Sequence, residues 1–362
     1  MQIIKNTEGT VFDGCDFVVK TSENRKIRLL QITDMQVIDS TQRRTPDRLR
    51  ADEIKAWLPE NFDALFGNHV RALVAETHPD LIFITGDITY GSFDDSGSTF
   101  RKICELMDSF SIPWAPVFGN HDNESKMGVK WQCELFEKCK YCLFKRGSVS
   151  GNGNYTVGVA VNDKLVRVLH MLDSNGCKNS SDPEVVKEKG IYPDQLELVR
   201  SNTGRIEAAQ GCPVPAFAAF HIPTASFIEA EIKKGYSKDG STSYTIGVDT
   251  EAKDRDFGCK DEDITKYAIE SDDSFTSLLR ECHVNGVFAG HLHKTNTCIE
   301  YGGIRWVFGL KTGQYDYHNI GQTGGTLITL EDGDFEVCHV PSLVVHGRYP
   351  RLANMFKELF AE

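Results

Sequence analysis

The chain lacks any apolar run approaching the roughly 20 residues that a membrane-spanning helix needs, so none of its 362 residues reads as a transmembrane segment. Its opening, Met1 to Gly9, has no basic stretch followed by an apolar one, and the expectation is a soluble protein that is not exported. It is also short of positive charge: 40 Lys and Arg stand against 52 Asp and Glu, a formal net charge of −12. That balance opposes a surface that grips duplex nucleic acid or anionic lipid, so any phosphate must be captured locally. A disulfide framework is missing too. Eleven cysteines are an odd number, and a chain of this size needs no covalent staples, which favours reduced thiols in a cytoplasmic setting. Cys139-Lys-Tyr-Cys142 has CxxC spacing, but with no second pair nearby it reads as ordinary cysteines. No repeat, low-complexity tract or Pro/Gly-rich linker divides the sequence, so one domain over 1–362 is the simpler reading.

What is present is an alternation of apolar strands and amphipathic helices. Lys26–Thr33 and Asp80–Thr85 read as buried strands. Between them Phe62, Leu65, Phe66, Val70, Leu73 and Val74 fall at helical spacing, with Pro79 just beyond. Helices over 99–110, 194–209 and 274–282 precede strands at 115–118, 215–220 and 286–289, and a hairpin occupies 153–172. The pattern predicts a mixed α/β fold of two packed sheets flanked by helices. The stretch 225–265, rich in Ser, Gly, Asp and Lys, is the least core-like, and reads as an insertion or lid or as a solvated excursion.

Five short motifs each directly follow an apolar strand: Asp34-Met-Gln36, Gly86-Asp87-Ile-Thr-Tyr90, Gly119-Asn120-His121-Asp122, Phe220-His221 and Gly290-His291-Leu-His293. Strand ends along one sheet edge are where α/β folds gather their sites. Carboxylate, amide and imidazole are hard or borderline metal donors, and no cysteine is among them. Singly, each motif is equally well a helix cap, a turn or a buried histidine; five in this order are not.

This order resembles the calcineurin-like metallophosphoesterase superfamily, and most closely its purple-acid-phosphatase-like branch. Supporting pieces are Gly153-Asn-Tyr155, Leu172-Asp-Ser174, Pro193-Asp-Gln-Leu196 and Lys311-Thr-Gly-Gln-Tyr315. The resemblance implies a two-sheet β sandwich in four layers, α/β/β/α, around a pair of divalent or trivalent metal ions: iron, manganese or zinc. It makes Asp87 the bridging carboxylate, gives Asp34 and His293 to one metal, and gives Asn120, His221 and His291 to the other. His121 would face the substrate as acid or phosphate ligand, with Asp122 orienting it. One departure stands out: where the family has Asp-x-His, this chain has Gln36. Tyr90 matches the Gly-Asp-x-x-Tyr spacing at which purple acid phosphatases hold ferric iron, so it reads either as a ligand of the first metal or as a packing aromatic.

The implied activity is hydrolysis of a phosphate ester by in-line attack of a metal-bridging hydroxide. The substrate would be a phosphorylated small molecule or phosphoprotein, with no membrane partner and nucleic acid disfavoured. Two rivals remain: a catalytically weak metal-binding or interaction protein, suggested by Gln36, and a metal-dependent nuclease on the same fold. Specificity would reside in 36–59, 91–99, 123–148 and 225–265, none of which carries a readable code. His318 reads either as a residue at the mouth of the site or as ordinary packing.

Overall fold

The computed structural model describes residues 1–360 except 6, 24 and 247–254. Two large sheets face each other. One has eight strands in the order Gln2–Ile4, Phe17–Thr21, Tyr155–Val161, Lys164–Met171, Ala216–Ala219, Val284–Ala289, Ile304–Phe308, Cys298–Tyr301. The other has five, in the order Asp334–Pro341, Gly324–Glu331, Arg28–Ile32, Leu81–Thr85, Trp114–Val117.

Side-chain alternation along each strand divides the interior in two. Phe217 and Ala219 point into the core between the sheets, where they meet Leu30, Phe83 and Phe288. Their neighbours Ala216 and Ala218 point outward, into a second core closed by Val199 and Ile206 from helix Pro193–Gln210 and by Leu278 and Leu279 from helix Asp273–Glu281. On the far side of the five-stranded sheet, Val70 and Leu73 of helix Asn68–Thr77 and Phe100, Ile103 and Met107 of helix Ser98–Ser109 cover its outer face. The result is the expected α/β/β/α sandwich.

The amphipathic run around 62–74 is not one regular helix. A short helical turn at Pro59–Asn61 and a widened π-helical turn at Asp63–Gly67 lead into Asn68–Thr77. Pro59 fixes that start, and Phe62 and Phe66, four residues apart on one face, pack with ring centroids 5.5 Å apart. The least core-like stretch, 225–265, is only partly a solvated excursion. It begins as helix Ala225–Lys233, whose Phe227 and Ala230 are buried, and its Lys260 ammonium pairs with Glu231 out of reach of solvent. Residues 247–254 of that stretch lie outside the described residues. Among the described residues no helix is long and apolar enough to cross a membrane.

The parallel strands matter most for function. Arg28–Ile32, Leu81–Thr85 and Trp114–Val117 run parallel in one sheet, and Lys164–Met171, Ala216–Ala219, Val284–Ala289 and Ile304–Phe308 in the other. Their carboxyl ends emerge on one edge, where Thr33 bridges to Lys311 across the two sheets.

Candidate metal centre

Each motif residue sits on a loop that leaves its strand abruptly. Asp34, Gln36, Asp87 and His291 have positive φ, at 50°, 46°, 50° and 74°, a costly conformation for non-glycine residues that concentrates at functional sites. Glycines precede two of them, Asp87 and His291, and make room there. A Cβ on Gly290 would lie 2.1 Å from Thr33 Oγ1 and 2.6 Å from Asp34 Oδ2, and one on Gly86 would press His221 at 2.8 Å. No other residue permits the strands to come so close.

Two sets of donors converge, and Asp87 belongs to both. Ligand atoms of Asp87, His221 and His291 lie within 4.8 Å of one another, as do those of Asp34, Asp87 and His293. His221 Nε2 is 3.2 Å from Asp87 Oδ2 and 3.2 Å from His291 Nδ1; His293 Nε2 is 3.5 Å from Asp34 Oδ1. Backbone carbonyls fix the rings. Thr85 O accepts from His221 Nδ1 at 2.8 Å and Tyr317 O from His293 Nδ1 at 3.0 Å, so each Nε2 lone pair is turned inward. Asn120 Oδ1 is buried and has no hydrogen-bond partner among the described residues. Leaving such an oxygen unpaired costs about 1–3 kcal/mol, and a cation removes that cost. Oxygen and imidazole donors without sulfur suit iron, manganese or zinc.

The electrostatics fit a cation pair. Burial pushes the Asp34 carboxyl up, but the His293 hydrogen bond and the charges of His221 and His293 pull it down to about 2. Burial likewise opposes ionisation of Asp87, yet His221 and His121 hold it well below the usual carboxylate range. His221 is lifted to about 9, burial being outweighed by Asp87, whereas burial and the His221 charge lower His291 to about 3. Protons thus occupy one nitrogen of a pair whose lone pairs converge, and metal uptake at such a pair displaces them.

His121 stands beside these groups, half-buried, with its backbone N–H on Asp87 Oδ1 at 2.9 Å. The acid that orients its ring is Glu124, whose Oε2 lies 2.9 Å from Nδ1. Asp122 has a different task from the one the resemblance implied. Its buried carboxylate accepts backbone N–H bonds from Ile88, Thr89 and Gly119, tying together the loops that carry Asp87 and Asn120. Geometry decides this: the helical turn Asp122–Glu124 brings the side chain three residues on, not one, alongside His121.

Tyr90 is buried, its ring 4.3 Å from that of His121 and 5.5 Å from that of Trp57, and burial raises its phenol above the usual value. Gln36 is turned so that Nε2 donates to Asp87 Oδ2 at 3.2 Å while Oε1 accepts from the buried Lys311 ammonium at 2.7 Å. Arg48, from the 36–59 stretch, lies over the rings of Tyr90 and Tyr317 at 5.0 and 5.4 Å and is held by Asp316. Tyr317 stacks on His293 at 4.3 Å, and the exposed Tyr267 approaches His291 at 5.4 Å. His318 is buried, with Nδ1 on Asp316 O at 2.8 Å. Glu124, Arg48 and Tyr267 were not marked by motif position, and of these only Glu124, three residues after His121, carried a local signal. Lys311 lay in the supporting piece Lys311-Thr-Gly-Gln-Tyr315, and Asp316 and Tyr317 beside His318, without a role assigned to them.

A family model described as calcineurin-like phosphoesterase matches residues 27–295. A relative from Arabidopsis thaliana, named "Probable inactive purple acid phosphatase 29", is 25% identical over 328 residues, covering 84% of this chain and 76% of the relative. "Phosphatase DCR2" of Saccharomyces cerevisiae is 28% identical over 238 residues, covering 61% of this chain and 37% of that protein. The solved structure of a dimetal phosphatase from Danio rerio covers 87% of this chain and 99% of its own, at 14% identity and a TM-score of 0.47.

Proposed function

The chain belongs to the calcineurin-like phosphoesterase family, and on that premise we propose that it hydrolyses a phosphate ester of a small molecule or phosphoprotein at the centre shared by Asp87. The observation that carries the proposal is the pair of overlapping donor sets together with the orphaned Asn120 oxygen. Asp87, Asn120, His221 and His291 would hold one ion; Asp34, Asp87 and His293 would hold the other, with Tyr90 added when that ion is ferric. Two cations so placed supply positive charge to the phosphoryl oxygens and acidify water for in-line attack.

The chain's own residues do the rest. The His121 imidazole, tied by Glu124 at Nδ1, offers Nε2 to the ester. Burial opposes its charge, while Asp87 and Glu124 raise it above the usual imidazole value, and a proton held at Nε2 would stand in place for the leaving oxygen. Asp122 keeps the two loops in register, and Arg48 sets a cation at the mouth.

Hydrolysis of p-nitrophenyl phosphate, bis(p-nitrophenyl) phosphate and single-stranded DNA by metal-defined protein tests the reading. Metal-dependent turnover of an ester supports it. Full metal content without turnover would instead favour the second reading, a metal-binding protein with little catalysis, to which the position of Gln36 and the name of the Arabidopsis relative lend weight. Cleavage of DNA alone would favour a nuclease, against the −12 charge. We further infer a single domain and a cytoplasmic setting, in keeping with eleven free cysteines.

A further inference from the structure

We propose that Lys311 is a positioning residue that withholds the Gln36 amide from the metal centre, leaving the position built from Asp34, Asp87 and His293 as the weak, exchangeable member of the pair. The inference rests on the dinuclear reading above.

An amide ligates a hard or borderline cation through its oxygen, because the nitrogen lone pair is delocalised into the carbonyl. In Gln36 that oxygen is already taken by Lys311 Nζ at 2.7 Å, and Nζ is anchored in turn on the Asp34 backbone carbonyl at 2.8 Å. The other end of the amide donates to Asp87 Oδ2 at 3.2 Å. Rotating the amide by 180° would set its oxygen against the Asp87 carboxylate and its NH2 against the lysine donor, so both neighbours enforce the same orientation. Gln36, Lys311 and Asp87 are each no more than 1% exposed, which keeps solvent from competing for these bonds.

The donor arithmetic then differs between the two positions. Asp87, His221 and His291, joined by the unpaired Asn120 oxygen as in the proposed function, would give four protein donors to one. Asp34, Asp87 and His293 give three to the other, and Asp87 Oδ2 carries the Gln36 N–H as well. Tyr90 can add a donor only as phenolate, which a ferric ion draws out and a zinc ion need not.

The test titrates Zn2+ into chelator-stripped full-length protein, reading occupancy by competition with a chromophoric chelator and total metal by mass spectrometry. The wild type should take up two ions in unequal steps, the second at least about tenfold weaker, the range over which single supporting residues shift metal affinity. Lys311→Met frees the amide oxygen and should tighten the weaker step by about tenfold while leaving the tighter one in place. That gain should vanish in the Lys311→Met, Gln36→Leu double variant. Gln36→Leu alone should leave the weaker step at least as tight as in the wild type, because it removes the N–H that occupies Asp87 Oδ2. Two equal steps in the wild type would overturn the proposal. So would a tenfold weakening in Gln36→Leu, since the amide would then be a ligand. A gain in Lys311→Met that survives loss of Gln36 would also overturn it, by assigning the effect to removed charge. The wild-type titration alone can overturn the proposal, by showing two equal steps, even if a variant fails to fold. Because no substrate is present, a protein with unequal steps and no turnover would defeat the hydrolase reading and leave this one standing.

Discussion

Glu124 Oε2 lies 2.9 Å from Nδ1 of His121, and Nε2 of that ring has no hydrogen-bond partner among the described residues. The imidazole is thereby fixed in tautomer and orientation, with one nitrogen committed to the protein and the other available to a ligand. The Tyr90 ring supports its flat face at 4.3 Å.

A general acid at this position predicts a leaving-group signature. His121→Gln should keep both metals yet lose on the order of 100- to 10,000-fold in rate on an alkyl phosphate. The loss should be smaller with a nitrophenolate, which departs without a proton. Glu124→Gln should show the same pattern with a smaller loss. Equal losses on both esters would assign His121 to phosphate binding instead.

Asp122 should behave as a structural residue. Asp122→Ala strips the acceptor from three buried backbone N–H groups and should cost about 3 kcal/mol or more in unfolding free energy. Glu124→Gln, at a half-buried pair, should cost less than about 1 kcal/mol. Urea titrations of the two variants against wild type check this. An Asp122→Ala protein of native stability would refute the assignment.

Asn120→Ala and His291→Ala should each abolish turnover and lower metal content while leaving the fold intact, since both side chains border a site open to solvent. Elemental analysis alongside a rate assay is decisive. Wild-type turnover at full metal content in either variant would show that the donor assignment is wrong.

Tyr90 is tested by colour. Protein loaded with ferric iron should absorb visible light by phenolate-to-metal charge transfer, and Tyr90→Phe should bleach it without unfolding the chain. A colourless, active iron protein would restrict Tyr90 to packing among His121, Trp57 and Phe93.

Acid should destabilise the fold through histidines buried neutral. Burial lowers His170 and His339 to about 4, below the roughly 6.5 of an unfolded chain. A depressed folded value means stability present in full above pH 6.5 and lost progressively as pH falls toward 4, because the unfolded state binds the proton first. Asp173 and Asp122, raised chiefly by burial to about 6 and about 7, work in the opposite direction over an overlapping window. His69 and His318, lowered chiefly by burial to about 3 and about 4, add to the loss. The net prediction is a lower urea midpoint at pH 5 than at pH 7, with the difference reduced in His339→Gln. A midpoint independent of pH would contradict it.

The strands were legible because a fully buried strand must be apolar along its length, and Asp80–Thr85 and Lys26–Thr33 differ from the observed Leu81–Thr85 and Arg28–Ile32 only at their ends. The π-helical turn at Asp63–Gly67 was not, because a wide turn keeps nearly the same apolar spacing as a regular helix and differs only in its hydrogen bonds. Helix Ala225–Lys233 was hidden for another reason: Lys260 and Glu231 look solvated in sequence, and only their mutual pairing allows both to be buried.

The sequence by itself determined which residues could form the centre. A metal donor must be a carboxylate, an amide or an imidazole, and placing each one directly after an apolar strand confines all of them to one edge of the sandwich. Tertiary structure alone decided what each group does there. Lys311 follows a strand of one sheet and Gln36 a strand of the other, 275 residues apart in sequence, and no local pattern announces their hydrogen bond. Asp122 and Glu124 are two residues apart and equally acidic, yet one ties down loops and the other holds an imidazole. Residue type limits which bonds a side chain can make. Which of them it makes depends on what the packed chain brings within about 3 Å, the reach of a hydrogen bond.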